Sequence, residues 1–138
     1  FVRTVLINAG ENDRVHKGQA VINREGLTGR VVTAGRHSAR ILLVTDLNSR
    51  IPVIMESSRE KAVLAGDNTP HPRLEFLAVD ARVKVGDRIV TSGQGGIFPP
   101  GLFTKFSKSV KNRIYAHPAK ISNKHKMLKH HYKKQYIW

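Results

Sequence analysis

The amino-acid sequence predicts an all-β barrel or sandwich. Short runs rich in Val, Ile and Leu recur through residues 1–102. Clusters of Gly, Asn, Asp and Pro separate them at intervals of about ten residues. No segment sustains a 3.6-residue apolar period, and Ser57–Lys61 allows at most a helical turn. The chain has 138 residues, of which 40% are hydrophobic, so it can bury an ordinary core or two very small ones.

The strands follow in order. Arg3–Asn8 ends at the turn Gly10–Asp13, and Gln19–Asn23 ends at Arg24–Gly26. Thr28–Thr33 precedes the turn Gly35–Ser38. Arg40–Thr45 is a continuous apolar run, as expected of a central strand buried on both faces. Asp46–Ser49 then turns the chain into Ile51–Glu56, where Ile51, Val53 and Met55 share a face. Pro52 fits there only near a strand start or at an edge. Lys61–Ala65, Arg73–Leu77 and Arg88–Thr91 complete the set, separated by Gly66–Pro72 and by Gly86–Asp87. Gly86 permits positive φ, and the Asp87 carboxylate can accept nearby backbone N–H groups.

Composition excludes several classes of protein. The chain is too short for a nucleotide-binding domain plus a substrate domain, or for a (β/α)₈ barrel. It has no cysteine, which removes disulfides, thiolate metal sites and Cys nucleophiles. No run of about 18 apolar residues is present. The chain opens on Phe1 inside a strand-like pattern, which suggests a fragment or a processed product. The formal net charge is +14, from 24 Lys+Arg against 10 Asp+Glu. Residues 1–102 carry 14 bases and 10 acids, and residues 103–138 carry 10 bases and no acid. The base changes from mostly Arg to mostly Lys at the same place, so a boundary is expected near Gly101–Phe103.

Catalytic constellations are absent. His37, Asp80 and Ser92 occur in an order that a hydrolase triad could use, but Ser92 lies in no nucleophile-elbow motif. The run Gly93-Gln-Gly-Gly96 leads into Ile97-Phe-Pro-Pro-Gly101, and prolines cannot open a phosphate-binding helix with free N–H groups. His16, His37 and His71 are isolated, so no metal site is expected among them. His125, His130 and His131 lack carboxylate or thiolate partners. Neither an enzyme activity nor a cofactor is expected.

Six segments in order carry a family resemblance. They are Gly26-Leu-Thr-Gly-Arg-Val31, Arg40-Ile-Leu-Leu-Val-Thr-Asp-Leu-Asn-Ser49, Ile51-Pro-Val53, Ala65-Gly66, Val85-Gly-Asp-Arg-Ile-Val-Thr-Ser-Gly93 and Gly96-Ile-Phe-Pro-Pro-Gly-Leu102. Together they resemble the extracytoplasmic β domain of the rod shape-determining protein MreC family, most of all its alphaproteobacterial members. The resemblance covers about residues 1–102. It implies two small linked β-barrels and a non-catalytic scaffold of the cell-elongation machinery, tied to rod shape and peptidoglycan synthesis. Implied partners are MreD, a class B penicillin-binding transpeptidase, the SEDS glycosyltransferase and the MreB complex, with self-association. No nucleic-acid partner is implied. Membrane attachment belongs to an N-terminal helix that this stretch lacks. The intact family protein sits at the periplasmic face of the inner membrane; a chain expressed without that segment would stay cytoplasmic.

The resemblance also gives structural roles to matching residues. Gly26 and Gly29 would bracket the turn into the strand carrying Arg30. Asp46 and Asn48 would close the loop before Ile51 and Pro52, and Gly66 would end the next strand. Gly86 and Asp87 would turn the chain before Val90. Thr91 and Ser92 would lead into a loop shaped by Gly93, Gly96, Phe98, Pro99 and Gly101.

The resemblance ends after Leu102. The second barrel is therefore expected to be incomplete, with an open edge and a tendency to aggregate. Residues 103–138 are expected to be disordered or partly helical, with Leu128, Tyr132 and Tyr136 on one helical face. Two origins fit this end: out-of-frame translation of AT-rich DNA, or a basic arm that binds nucleic acid or an anionic membrane surface.

Overall fold

The computed structural model describes residues 3–84, 86–110 and 113–117. Its strands are β1 (Thr4–Ile7), β2 (Ala20–Asn23), β3 (Gly26–Ala34), β4 (Ala39–Leu43), β5 (Arg50–Met55), β6 (Lys61–Ala65), β7 (Arg73–Glu75), β8 (Arg88–Thr91), β9 (Phe103–Val110) and β10 (Arg113–His117). The only helical pieces among the described residues are 3₁₀ turns at Glu11–Asp13 and Gln94–Gly96. The all-β class read from the sequence holds. The first eight strands fall within a few residues of their expected places, because turn chemistry fixes where each run must stop.

The first half forms an antiparallel sheet in the order β1-β4-β3-β2. Here the expectation of a first barrel is corrected. Among the described residues β1 and β2 are the outer strands and do not join, since four strands are too few to close around a layer of side chains. Instead, Val15 from the β1–β2 connection caps one face, packing with Ile7, Val21, Val31, Ala39 and Ile41. β4 is central, but its apolar run divides between the two faces. Ala39 and Ile41 enter this core, while Leu42 pairs with Arg30 on the opposite face.

The second half is a closed antiparallel ring, β5-β6-β7-β10-β9-β8. Its core holds Ile51, Val53, Met55, Leu64, Leu74, Ile89 and Phe98, joined by Ala20 and Leu27 from the sheet. Closure corrects the expected incomplete barrel and open edge. It also corrects the disordered or helical reading of residues 103–110 and 113–117. β9 pairs with β8 through Phe103↔Val90 and Thr104↔Ile89. β10 pairs with β9 and with β7. The reason is physical. Ladder bonds join backbone to backbone, so losing acidic residues after Leu102 leaves the pairing capacity of the chain intact. The helix expected near the C-terminus and the histidines from His125 onward lie outside the described residues.

Pro52 is the third residue of β5, opposite Val63. Its carbonyl accepts the Ser92 N–H at 3.0 Å, so its lack of a donor costs the ladder little. Ser57 and Ser58 lie in the β5–β6 turn.

Candidate functional site

Sheet and barrel meet at a cleft of about 50 Å³. β3 supplies Gly29 and Arg30, β4 supplies Leu42, and the entry to β5 supplies Asn48, Ser49, Arg50 and Ile51. Ile97 and Phe98 complete the lining. Strand alternation explains the first group. Arg30 is opposite Ala20 on one side and Leu42 on the other, so these three share a face of the sheet. Ala20 packs into the barrel core, which shows that this face is turned toward the barrel. A Cβ at Gly29 would overlap the Leu42 carbonyl, so only glycine allows β3 and β4 this approach.

The Asp46–Ser49 turn builds the next wall. The Asp46 carboxylate is buried and accepts the backbone N–H groups of Arg3 and, at 2.7 Å, Asn48. Burial raises its pKa, but hydrogen bonds from the Arg3 and Asn48 backbones and the Asn48 side chain outweigh this and hold it below the ordinary 3.8. The Asp46 carbonyl accepts the Ser49 N–H at 2.9 Å. It also lies where a Cβ on Gly66 would sit, which ties the turn to the end of β6. Arg50 is fixed by the same turn. Its Nη1 donates to the carbonyls of Leu47 and Ser49, each at 2.8 Å, and of Gly66 at 3.2 Å.

The remaining wall is the loop between β8 and β9. Thr91 Oγ1 donates to the Pro99 carbonyl at 2.6 Å and accepts the Leu102 N–H at 2.9 Å. The Gly101 N–H donates to the Thr91 carbonyl at 2.9 Å. Gly93, Gly96 and Gly101 all have positive φ, which lets the loop fold back over the barrel. Phe98 plugs the core from there, and Ile97 stays 54% exposed at the rim.

Other residues singled out in the sequence lie away from the cleft or shape it indirectly. Gly26 opens β3 with φ of 120°, and a Cβ there would overlap the Phe103 carbonyl. Gly26 and Gly29 thus lie within one strand, where the sequence reading placed them around a turn. Gly86 has φ of 95°, and Asp87 Oδ2 accepts the Lys84 N–H at 2.8 Å. Ser92 Oγ accepts the Gln94 N–H at 3.1 Å, and His37 Nδ1 lies 3.4 Å from Asn12 Nδ2. No hydrogen bond joins any two of His37, Asp80 and Ser92. Among the described residues, no three His, Asp or Glu side chains converge as metal ligands.

The cleft is cationic. Arg30 and Arg50 line it, and no carboxylate does. The ion pairs among the described residues join Arg73 to Asp67 and Glu75, and Arg88 to Glu56. Sequence reasoning singled out Gly29, Arg30, Asn48 and Phe98 but missed Leu42, Ser49, Arg50 and Ile97. An arginine at mid-strand among buried apolar neighbours was the available signal for Arg30. Arg50 gave none, because only the folded turn brings it to Arg30.

A family model described as the barrel core of the rod shape-determining protein MreC matches residues 1–125. The chain belongs to the MreC family. The cell shape-determining protein MreC of Cereibacter sphaeroides is 47% identical over 102 residues, which are 74% of this chain and 34% of that relative. The crystal structure of MreC from Pseudomonas aeruginosa matches with a TM-score of 0.77 at 33% identity, over 86% of this chain and 81% of that one. A chain of the solved complex between Penicillin-Binding Protein (PBP2) and MreC from Helicobacter pylori matches with a TM-score of 0.62. At 14% identity, over 93% of this chain and 95% of that one, this is a likeness of fold. The chain spans about a third of the length of the curated MreC relatives it matches.

Proposed function

We propose that this chain is a non-catalytic scaffold of the bacterial cell-elongation machinery that helps hold rod shape and coordinate peptidoglycan synthesis. One observation carries the reading: its fold matches a chain from the solved complex of PBP2 with MreC. The proposed direct partner is accordingly a class B penicillin-binding transpeptidase. MreD, the SEDS glycosyltransferase, MreB and further copies of the chain are proposed as members of the same assembly. The proposed location is the periplasmic face of the inner membrane. Among the described residues no helix is long and apolar enough to cross a membrane. The residues that line the cleft offer guanidinium, amide, hydroxyl and apolar groups, which suit recognition better than bond making.

The change in composition near Leu102 is proposed as a change of sequence character between residues 1–102 and 103–138. Reading the DNA around that codon in all three frames tests whether the end is out of frame. The scaffold reading is tested by capturing the purified transpeptidase ectodomain with the full chain and with a chain lacking residues 118–138. Capture that survives the deletion is expected. Capture that needs the deleted residues and falls steeply with salt would overturn the reading in favour of a basic arm.

A further inference from the structure

We propose that the cleft between sheet and barrel receives a carboxylate from a protein partner, an Asp or Glu side chain next to a large apolar residue. The proposal rests on the scaffold reading and names the chemistry its docking surface would recognise. The cleft's size sets the first limit. A volume of about 50 Å³ admits a small group, whereas pockets for nucleotides or drug-sized ligands measure about 300–1,000 Å³.

Charge sets the second limit. Arg30 is half-buried on the sheet face turned toward the barrel, and no carboxylate among the described residues pairs with it. A guanidinium partly withdrawn from water without a counter-charge is a cost in the free protein. An incoming carboxylate relieves that cost and can bond to the planar fork through two oxygens. Arg50 lines the same cleft and is held by three backbone carbonyls, so its positive charge is in place before binding. The flanking walls set the third limit. Leu42, Ile51 and Phe98 reduce water access, and exposed Ile97 offers a contact for an apolar neighbour of the acidic residue. A free inorganic anion would use the arginines and leave Ile97 uncovered.

The test is an NMR titration of the isotope-labelled full chain with acetyl-Leu-Glu-Leu-amide, acetyl-Leu-Gln-Leu-amide and inorganic phosphate. The Glu peptide is expected to move the Arg30 Nε–H and Ile97 methyl signals saturably. The Gln peptide should bind about tenfold more weakly. Arg30→Gln should erase that preference. The Glu-to-Gln comparison is made on the unaltered chain, so a folding defect in Arg30→Gln leaves it intact. Equal responses to both peptides would overturn the proposal. So would phosphate acting as strongly as the Glu peptide. Transpeptidase capture undiminished in a folded Arg30→Gln chain would overturn the cleft assignment and leave the scaffold reading standing. Glu-selective binding at Arg30 without any capture would support the cleft and overturn the transpeptidase as its partner.

Discussion

The sheet and the barrel are built from similar short strands, yet they are held together differently. Among the described residues the sheet stays open at β1 and β2, with a small core and an exposed Leu6 on an outer strand. The barrel has no free edge and a larger core. Ala20 and Leu27 belong to sheet strands but pack into the barrel core. The sheet therefore relies on the barrel for part of its burial. The barrel receives those two side chains but closes through its own ladder. The difference places the cleft, because it lies where the dependent half rests on the closed one.

The contact between the halves is the most sensitive place to break this arrangement. Gly66→Val would drive side-chain atoms into the Asp46 carbonyl. A loss on the order of 4 kcal/mol is expected in denaturant unfolding. A loss below about 1 kcal/mol would show that the two halves are not locked there.

Core truncations sharpen the contrast. Ile89→Ala in the barrel is expected to cost about 4 kcal/mol and to speed amide exchange in both halves. Val15→Ala in the sheet is expected to cost about 2 kcal/mol and to speed exchange only in β1–β4. Equal effects of both changes on both halves would mean a single cooperative unit.

Acid acts on the junction more gently. The Asp46 pKa is depressed in the folded chain, so its stabilising effect is fully present above the unfolded value. That stabilisation is lost as pH falls past 3.8 and through the lower folded value. Asp46→Asn should cost about 1–2 kcal/mol near neutral pH. Unfolding midpoints of the two proteins should converge below pH 3.8. A gap that stays constant with pH would contradict the charge-assisted role of the carboxylate. The smallest effect belongs to the surface of the barrel. Glu56→Gln breaks the exposed pair with Arg88 and should shift stability by about 0.5 kcal/mol or less.

Much of the fold was legible because local chemistry controls it. Asp46, Gly86 and Gly93 mark turns by their side chains or their φ angles, so the strands between them could be placed. Pairing was not legible in the same way. Nothing local to β1 or β2 says that they stay apart, and nothing in the charge of β9 or β10 says that they pair with β8 and β7. Composition describes what a segment presents to solvent, while ladder formation depends on which backbone edge lies beside it. The cleft was half legible for a related reason. Arg30, Ile97 and Phe98 stood within segments that carried the family resemblance, whereas Arg50 lay between two of them and reaches the cleft only through the folded turn.

Strands β9 and β10, beyond Leu102, complete the barrel. Amide hydrogen exchange resolved to single residues reads this closure strand by strand. Thr104, Ile114 and Tyr115 should be protected to the same degree as Val63 and Leu64 in β6, because all lie in one closed ladder. Exchange of Thr104, Ile114 and Tyr115 at the rate of an unstructured peptide, with β6 still protected, would contradict it.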